Sequence, residues 1–266
     1  MQNRQEGIIS GSIWDDAVST TAAKFKEVRV PRLGARVAFS DGRVFRYAKA
    51  GDTVTAGALV VATLNSQAIA ATYFGVDAAT APASGEGGAI GDTTIRLTDD
   101  VSGVTASEYA EGYLNITDYT GEGYSYKIKD NAVTSTDSGG FLVTLYDGLK
   151  VALDNTSVGT MTASPFNAVV VHTAADYGGT ATQFCVGKAV VGATVGQYFW
   201  IQTWGLALVK AGAATGIIGA PCQLAEDDNG SGQVPVAGEN RIQVIGSWYA
   251  SAADTVWGQV FLQIFP

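Results

Sequence analysis

The strongest constraint in this chain is the alternation of its side chains, which favours strands and leaves little room for helices. Tyr124-Ser125-Tyr126-Lys127-Ile128-Lys129 changes character every second residue, the mark of a half-buried strand. Phe141 to Tyr146 is a β-branched and aromatic run that ends at the turn pair Asp147-Gly148. Val169 to Thr173 reads as another strand, beginning after Pro165. Tyr198 to Trp204 places Tyr198, Trp200, Gln202 and Trp204 on one face. The last run sets Trp257, Phe261 and Phe265 against Val260, Leu262 and Ile264. Strands that are apolar on both faces are predicted to be central in a sandwich or covered by another subunit. Sustained helical periodicity is missing, and Thr105 to Glu111 is the best short helical candidate. The prediction is an all-β chain: two or more small β-sandwich or barrel modules with an extended N-terminal arm.

Composition supports a folded chain. Only 15% of the 266 residues are charged and 47% are hydrophobic, which excludes a disordered polymer. Turn-rich breaks stand at Ala81 to Gly88, at Asp154 to Pro165 and at the acidic stretch Glu226 to Gly232. They predict an arm and β-hairpin over 1–75, a middle β module over 76–165 and a C-terminal β module over 166–266. A short echo complicates that partition. Lys49-Ala50-Gly51 leads to Gly57-Ala58, and Lys210-Ala211-Gly212 leads to Gly219-Ala220 with one residue more between them. If the echo is a true repeat, the first and last segments build one fold and the middle module is an insertion.

Charge is unevenly placed. The formal net charge is −9, yet residues 1–50 hold nine basic and five acidic side chains. That section is therefore +4 and the remaining 216 residues are −13. The basic set Lys24, Lys26, Arg29, Arg32, Arg36, Arg43, Arg46 and Lys49 reads as a docking section for an acidic surface. An ordinary solvated face is the plain alternative. Nucleic acid is an unlikely partner, because the acidic body would be repelled and no nucleic-acid-binding motif accompanies the arginines.

Conventional catalytic chemistry finds little footing. His172 is the only imidazole, no G-x-S-x-G elbow is present, and a structural histidine is the favoured reading. Cys185 and Cys222 lack C-x-x-C spacing and one histidine cannot complete a typical zinc site, so no metal or cofactor is expected. The cysteines read as small buried hydrophobes, with a link between neighbouring strands left open. Asp227-Asp228-Asn229-Gly230 lacks the spacing of an EF-hand loop. The start of the sequence lacks the pattern of a signal peptide. The uncharged run between Lys188 and Lys210 holds Gly192, Gly196, Gly205, Gln197 and Gln202, so it reads as strand and no membrane association is expected.

Three groups of residues carry a resemblance. Tyr109 to Ile116 followed by Gly121 to Ile128, Asp41 to Gly51, and Gly196 to Gly205 resemble segments of tailed-bacteriophage virion structural proteins of the head. The resemblance implies a capsid decoration, or cement, protein: non-enzymatic, bound to the major capsid protein on the outer surface of the virion shell. It also implies self-association, with a homotrimer as one frequent form. Under that reading Tyr198, Trp200, Trp204 and Trp257 belong to the core or to the contact between copies. A tail fibre, baseplate or surface adhesion (glycan-binding) module is the alternative, since aromatic rings also stack on sugars. A phage glycan hydrolase is the third class.

Overall fold

The computed structural model describes residues 18–19, 31–63, 66–69, 88–97, 104–133, 141–154, 157–173, 183–212, 216–225, 229–235 and 243–266. Among them no helix forms, and the chain is all-β. It divides into two compact units, residues 64–164 and the combination of 1–63 with 165–266.

The discontinuous unit holds β1 (Val18–Ser19), β2 (Arg36–Ala38), β3 (Val44–Lys49) and β4 (Leu59–Thr63) from the first segment. The 64–164 unit follows with β5 (Ser66–Ile69), β6 (Thr94–Leu97), β7 (Tyr113–Asp118), β8 (Ser125–Asn131), β9 (Phe141–Leu145) and β10 (Val158–Thr162). The last segment supplies β11 (Val169–Val171), β12 (Gln183–Ala189), β13 (Tyr198–Lys210), β14 (Pro221–Leu224), β15 (Gly232–Gln233), β16 (Val244–Trp248) and β17 (Trp257–Gln263).

In the 64–164 unit the strands run in the order β5-β10-β7-β8-β9-β6, each pair antiparallel. Alternation decides the core: Leu114 and Ile116, Ile128, Phe141, Val143 and Leu145, and Met161 are buried together, while residues between them point away. Thr105 to Glu111 makes turns rather than the helical turn that its composition favoured. Ser107 and Glu111 both take φ near +60°, which no right-handed helix accommodates. The buried Asn131 holds these turns. Its Oδ1 accepts the Tyr109 main-chain N–H at 2.8 Å, and its Nδ2 donates to Thr105 O and Ala132 O at 2.9 Å each.

The other unit is one large sheet with the path β11-β4-β12-β13-β17-β16-β14-β15; β1 and β3 join it on β13, and β2 joins β3. Its organisation comes from a single connection made four times. Residues 55–58, 194–197, 217–220 and 253–256 are turns closed by main-chain bonds: Ala58 N to Thr55 O, Gln197 N to Thr194 O, Ala220 N to Ile217 O and Val256 N to Ala253 O. The third residue of each is left-handed, with φ +85° at Gly57, +80° at Gly196, +82° at Gly219 and +61° at Thr255. Glycine suits that position because it has no Cβ to crowd the carbonyl.

These turns interlock in pairs. Gly57 N donates to Ala189 O while Gly196 N donates to Ala50 O, and Val54 and Ala193 exchange bonds of 2.7 and 2.9 Å. The second pair repeats the pattern: Gly219 N to Trp248 O, Thr255 N to Ala211 O, and an exchange between Gly216 and Ala252 at 2.9 and 3.3 Å. Parallel bridges add a further match, Ala50 with Val169 and Ala211 with Gly232. Two copies of one motif result. The first is β3, β4, β11, β12 and β13; the second is β13, β14, β15, β16 and β17, so β13 serves both. The Lys-Ala-Gly echo falls on the equivalent turn of each copy, and its extra residue lies between Ala211 and Gly216. Between β4 and β11 the first copy carries the whole 64–164 unit, where the second needs only residues 225–231.

Strand β13 serves both copies by bending. Its pairing with β3 shifts register between Gln202 and Trp204, and Gly205 takes φ +87°. A Cβ at Gly205 would fall 3.0 Å from Gly42 O, so the bend also depends on a close backbone approach. The sheet is buried on both faces around β4: Leu59 and Val61 pack with Val209, Trp248, Val260 and Leu262, while Val60 and Ala62 pack with Val186, Phe199 and Ile201.

The four turns make a graded prediction. Gly196→Ala and Gly219→Ala meet open space and should each cost about 1–2 kcal/mol, the ordinary cost of a left-handed non-glycine residue. Gly57→Ala should cost more, because its Cβ would strike the Trp257 ring. Thr255→Gly should raise stability, since a β-branched residue is poorly suited to that backbone. Denaturant midpoints of the four variants check the order.

Candidate docking surface

Strand alternation sorts the basic residues that the sequence grouped. Lys24, Lys26 and Arg29 lie outside the described residues. Arg32 and Arg36 are exposed, while Arg43, Arg46 and Lys49 are half-buried. On β3, Phe45, Tyr47 and Lys49 share a face with Val37, Tyr198, Trp200, Gln202 and Lys188, as their register requires. We call this the outer face. Arg46 points the other way, directly opposite Arg36 on β2. The five described members therefore do not form one patch.

Arg46 is built into the fold. Its guanidinium carbon lies 5.7 Å from the Phe166 ring centre and 5.9 Å from that of Phe265. Its Nη1 donates to Gly34 O at 3.1 Å and its Nη2 to the Pro266 main-chain oxygen at 3.0 Å. Burial lowers its pKa, and the like charge of Arg36 adds to the effect. Arg43 immediately precedes β3, its Nε donating to Asp41 Oδ2 at 2.6 Å and its guanidinium over Phe39 and Phe45. The Arg43 main-chain N–H holds the Asp41 carboxyl below its ordinary value against the cost of desolvation, and the guanidinium reinforces that lowering.

The aromatic residues fall into three environments. Trp200 is buried with Phe45 and Tyr47, and Tyr198 stacks on Tyr47 with ring centres 5.6 Å apart. Ala35, Val37 and Phe39 cover this cluster. Burial raises the Tyr47 pKa, with Tyr198 adding to it. Trp204 lies past the bend and packs edge-on against Phe261 at 6.0 Å instead. Trp257 is 48% exposed although its ring rests on Gly57, and it continues an outward row with Phe261, Leu206 and Leu208.

Where the two halves of β13 meet, a groove of about 210 Å³ opens, lined by Arg43, Phe45, Lys188, Gln202, Leu206 and Leu208 among others. Gln202 spans it, its Nε2 donating to Trp204 O at 3.1 Å and Leu206 O at 2.9 Å. Lys188 sits beside Gln202 in register, and burial lowers its pKa. Its side chain makes no hydrogen bond or ion pair with the described residues. In the sequence Lys188 stands out only as the boundary of an uncharged run. Its register opposite Gln202, which lies 14 positions away, was the missing signal.

The residues considered for catalysis or metal binding are interior. His172, Cys185 and Cys222 are buried, and both cysteines are free thiols in one apolar cluster. Asp227 and Asp228 lie outside the described residues. Among the described residues no group of three His, Cys, Asp or Glu side chains is placed to hold a metal ion. No helix among them is long and apolar enough to cross a membrane. No protein-family model, curated protein or solved structure matches the chain.

The buried thiols make stability pH-dependent. Burial pushes Cys185 up to about 12 and Cys222 in the same direction, with Cys185 adding to the second. Burial likewise pushes Tyr109 up to about 12, with Glu108 adding to it. A raised folded pKa means that the stabilisation is complete below the unfolded value, about 8.5 for a thiol, and is lost as pH rises towards the folded value. For each fully affected group, every pH unit in that window costs about 1.4 kcal/mol. The denaturant midpoint should fall steeply above pH 9. Cys185→Ala should be less stable at pH 7 but show a shallower alkaline decline, and an equal slope would contradict the assignment.

Proposed function

We propose that this chain is a non-enzymatic capsid decoration protein of a tailed bacteriophage, binding the major capsid protein on the outer surface of the virion and reinforcing the shell. The resemblance of three segments to head structural proteins motivates the reading. The observation that carries it is the bare outer face of the second motif copy, where Leu206, Leu208, Trp257 and Phe261 are 40%, 52%, 48% and 38% exposed. Rows of large apolar side chains on a sheet mark contact with another macromolecule.

Charge fits a docking role. The 64–164 unit holds 13 acidic and four basic side chains, a net −9, whereas the rest of the chain has 12 of each. A neutral unit brings apolar surface to a protein shell with little long-range repulsion, while an acidic unit keeps the particle surface soluble. Preference for the assembled shell would stabilise it by RT ln(1 + [L]/Kd) for each independent site. Self-association as a homotrimer would multiply the contacts through effective concentration.

A second reading, a tail or surface adhesion module that binds glycans, draws on Trp257 and on Tyr249, which is 64% exposed. Purified chain added to undecorated capsids should co-sediment and raise the temperature at which they release DNA. Trp257→Glu combined with Phe261→Glu, both on the exposed outer face, should weaken co-sedimentation at least tenfold without unfolding the chain. Glycan binding with no capsid binding would favour the second reading instead.

A further inference from the structure

The two motif copies share a scaffold but differ in what covers it. Register makes the correspondence specific: Phe45, Tyr47 and Lys49 opposite Gln202, Trp200 and Tyr198 match Leu206, Leu208 and Lys210 opposite Phe261, Gln259 and Trp257. In the first copy, β2 pairs with β3, and Ala35, Val37 and Phe39 seal the outer face. In the second, residues 205–209 of β13 pair with β17 alone among the described residues. Leu206 and Leu208 are correspondingly exposed. Among the described residues the second copy thus leaves the edge at 205–209 without a strand partner beside an apolar face, the arrangement to which an extended segment adds as a further strand.

Lys188 identifies the chemistry such a segment should bring. Ser247 occupies the equivalent place on β16, opposite Phe261 as Lys188 is opposite Gln202. The scaffold therefore does not need a cation there. A partly buried lysine with no acidic partner among the described residues is matched by a carboxylate from outside. The groove is smaller than the roughly 300 Å³ at which ligand pockets begin, so it suits a side chain better than a cofactor.

We propose that this edge and groove receive an extended segment of a partner protein, with aliphatic side chains and one aspartate or glutamate on its contacting face. The aliphatic groups cover Leu206 and Leu208, and the carboxylate meets Lys188 beside Arg43. The inference does not require the partner to be a capsid protein, so a failure of capsid binding and a failure of this site are separable.

The test uses the full chain and an acetylated, amidated seven-residue peptide. Threonines occupy its odd positions, and valine, glutamate and valine its even ones. With carbon-13-labelled lysine, the peptide should shift the Lys188 Cε resonance saturably, and the glutamine counterpart should bind at least tenfold more weakly. Amide exchange at Leu206 and Leu208 should slow on binding. Lys188→Met should fold, because the equivalent position holds Ser247, and should lose the preference for glutamate. Leu208→Glu should abolish binding of either peptide. Equal binding of the two peptides, or an unchanged preference in Lys188→Met, would overturn the proposal. So would self-association of the free chain that Leu208→Glu abolishes while neither peptide binds, which would make a second copy the occupant.

Discussion

The larger unit depends on a reciprocal main-chain exchange between turns whose third residues are left-handed. Each interlocked pair satisfies N–H and C=O groups that would otherwise be orphaned where strands end. Because the bonds run both ways, the two turns fix each other's position and the register of the strands that leave them. Registers such as Tyr47 with Trp200 and Leu208 with Gln259 then follow without further choice. Side chains refine this frame rather than define it, which is why the two copies tolerate quite different outer faces. Phe45, Tyr47 and Trp200 form a sealed aromatic cluster in one, while Leu206 and Leu208 remain bare in the other.

The same constraint explains how the charge is arranged. An insertion between β4 and β11 leaves the interlocked turns untouched, because its ends lie on the far side of β4 from the turn at 55–58. The inserted unit has its own core and can hold acidic side chains independently of the sheet that carries it. All the net charge resides there. The boundary that matters for electrostatics is thus between units, not between the first fifty residues and the remainder.

Strand content was legible because alternation has a local cause. The face assignments along Trp257 to Gln263 and Ser125 to Lys129 follow the pleat directly. The turns were partly legible, since Gly57 and Gly219 left an echo, but Gly196 and Thr255 occupy the same geometry without the Lys-Ala-Gly lead. Trp204 was grouped with Trp200 by simple alternation, and the register shift beside Gly205 separates them. Such a bend depends on Gly42 and Arg43, which lie far away in sequence. The basic group fared similarly: composition brings Arg43 and Arg46 together, while the strand turns them to opposite faces. Lys188 joins Arg43 only through folding.

The divided origin of the larger unit has a consequence for synthesis. Residues 64–164 are contiguous, so the smaller unit can complete its sheet before the strands of residues 165–263, which the larger unit needs, have been added, an interval of roughly 5–20 s at ordinary elongation rates. During that interval β3 and β4 have been made, but β12 and β13, which cover them, have not. Their apolar faces must wait. The first copy closes only when the turn at 194–197 emerges, and the second only with β17. A finished acidic domain would by then already stand in the chain, a soluble attachment beside strands still waiting for their partners.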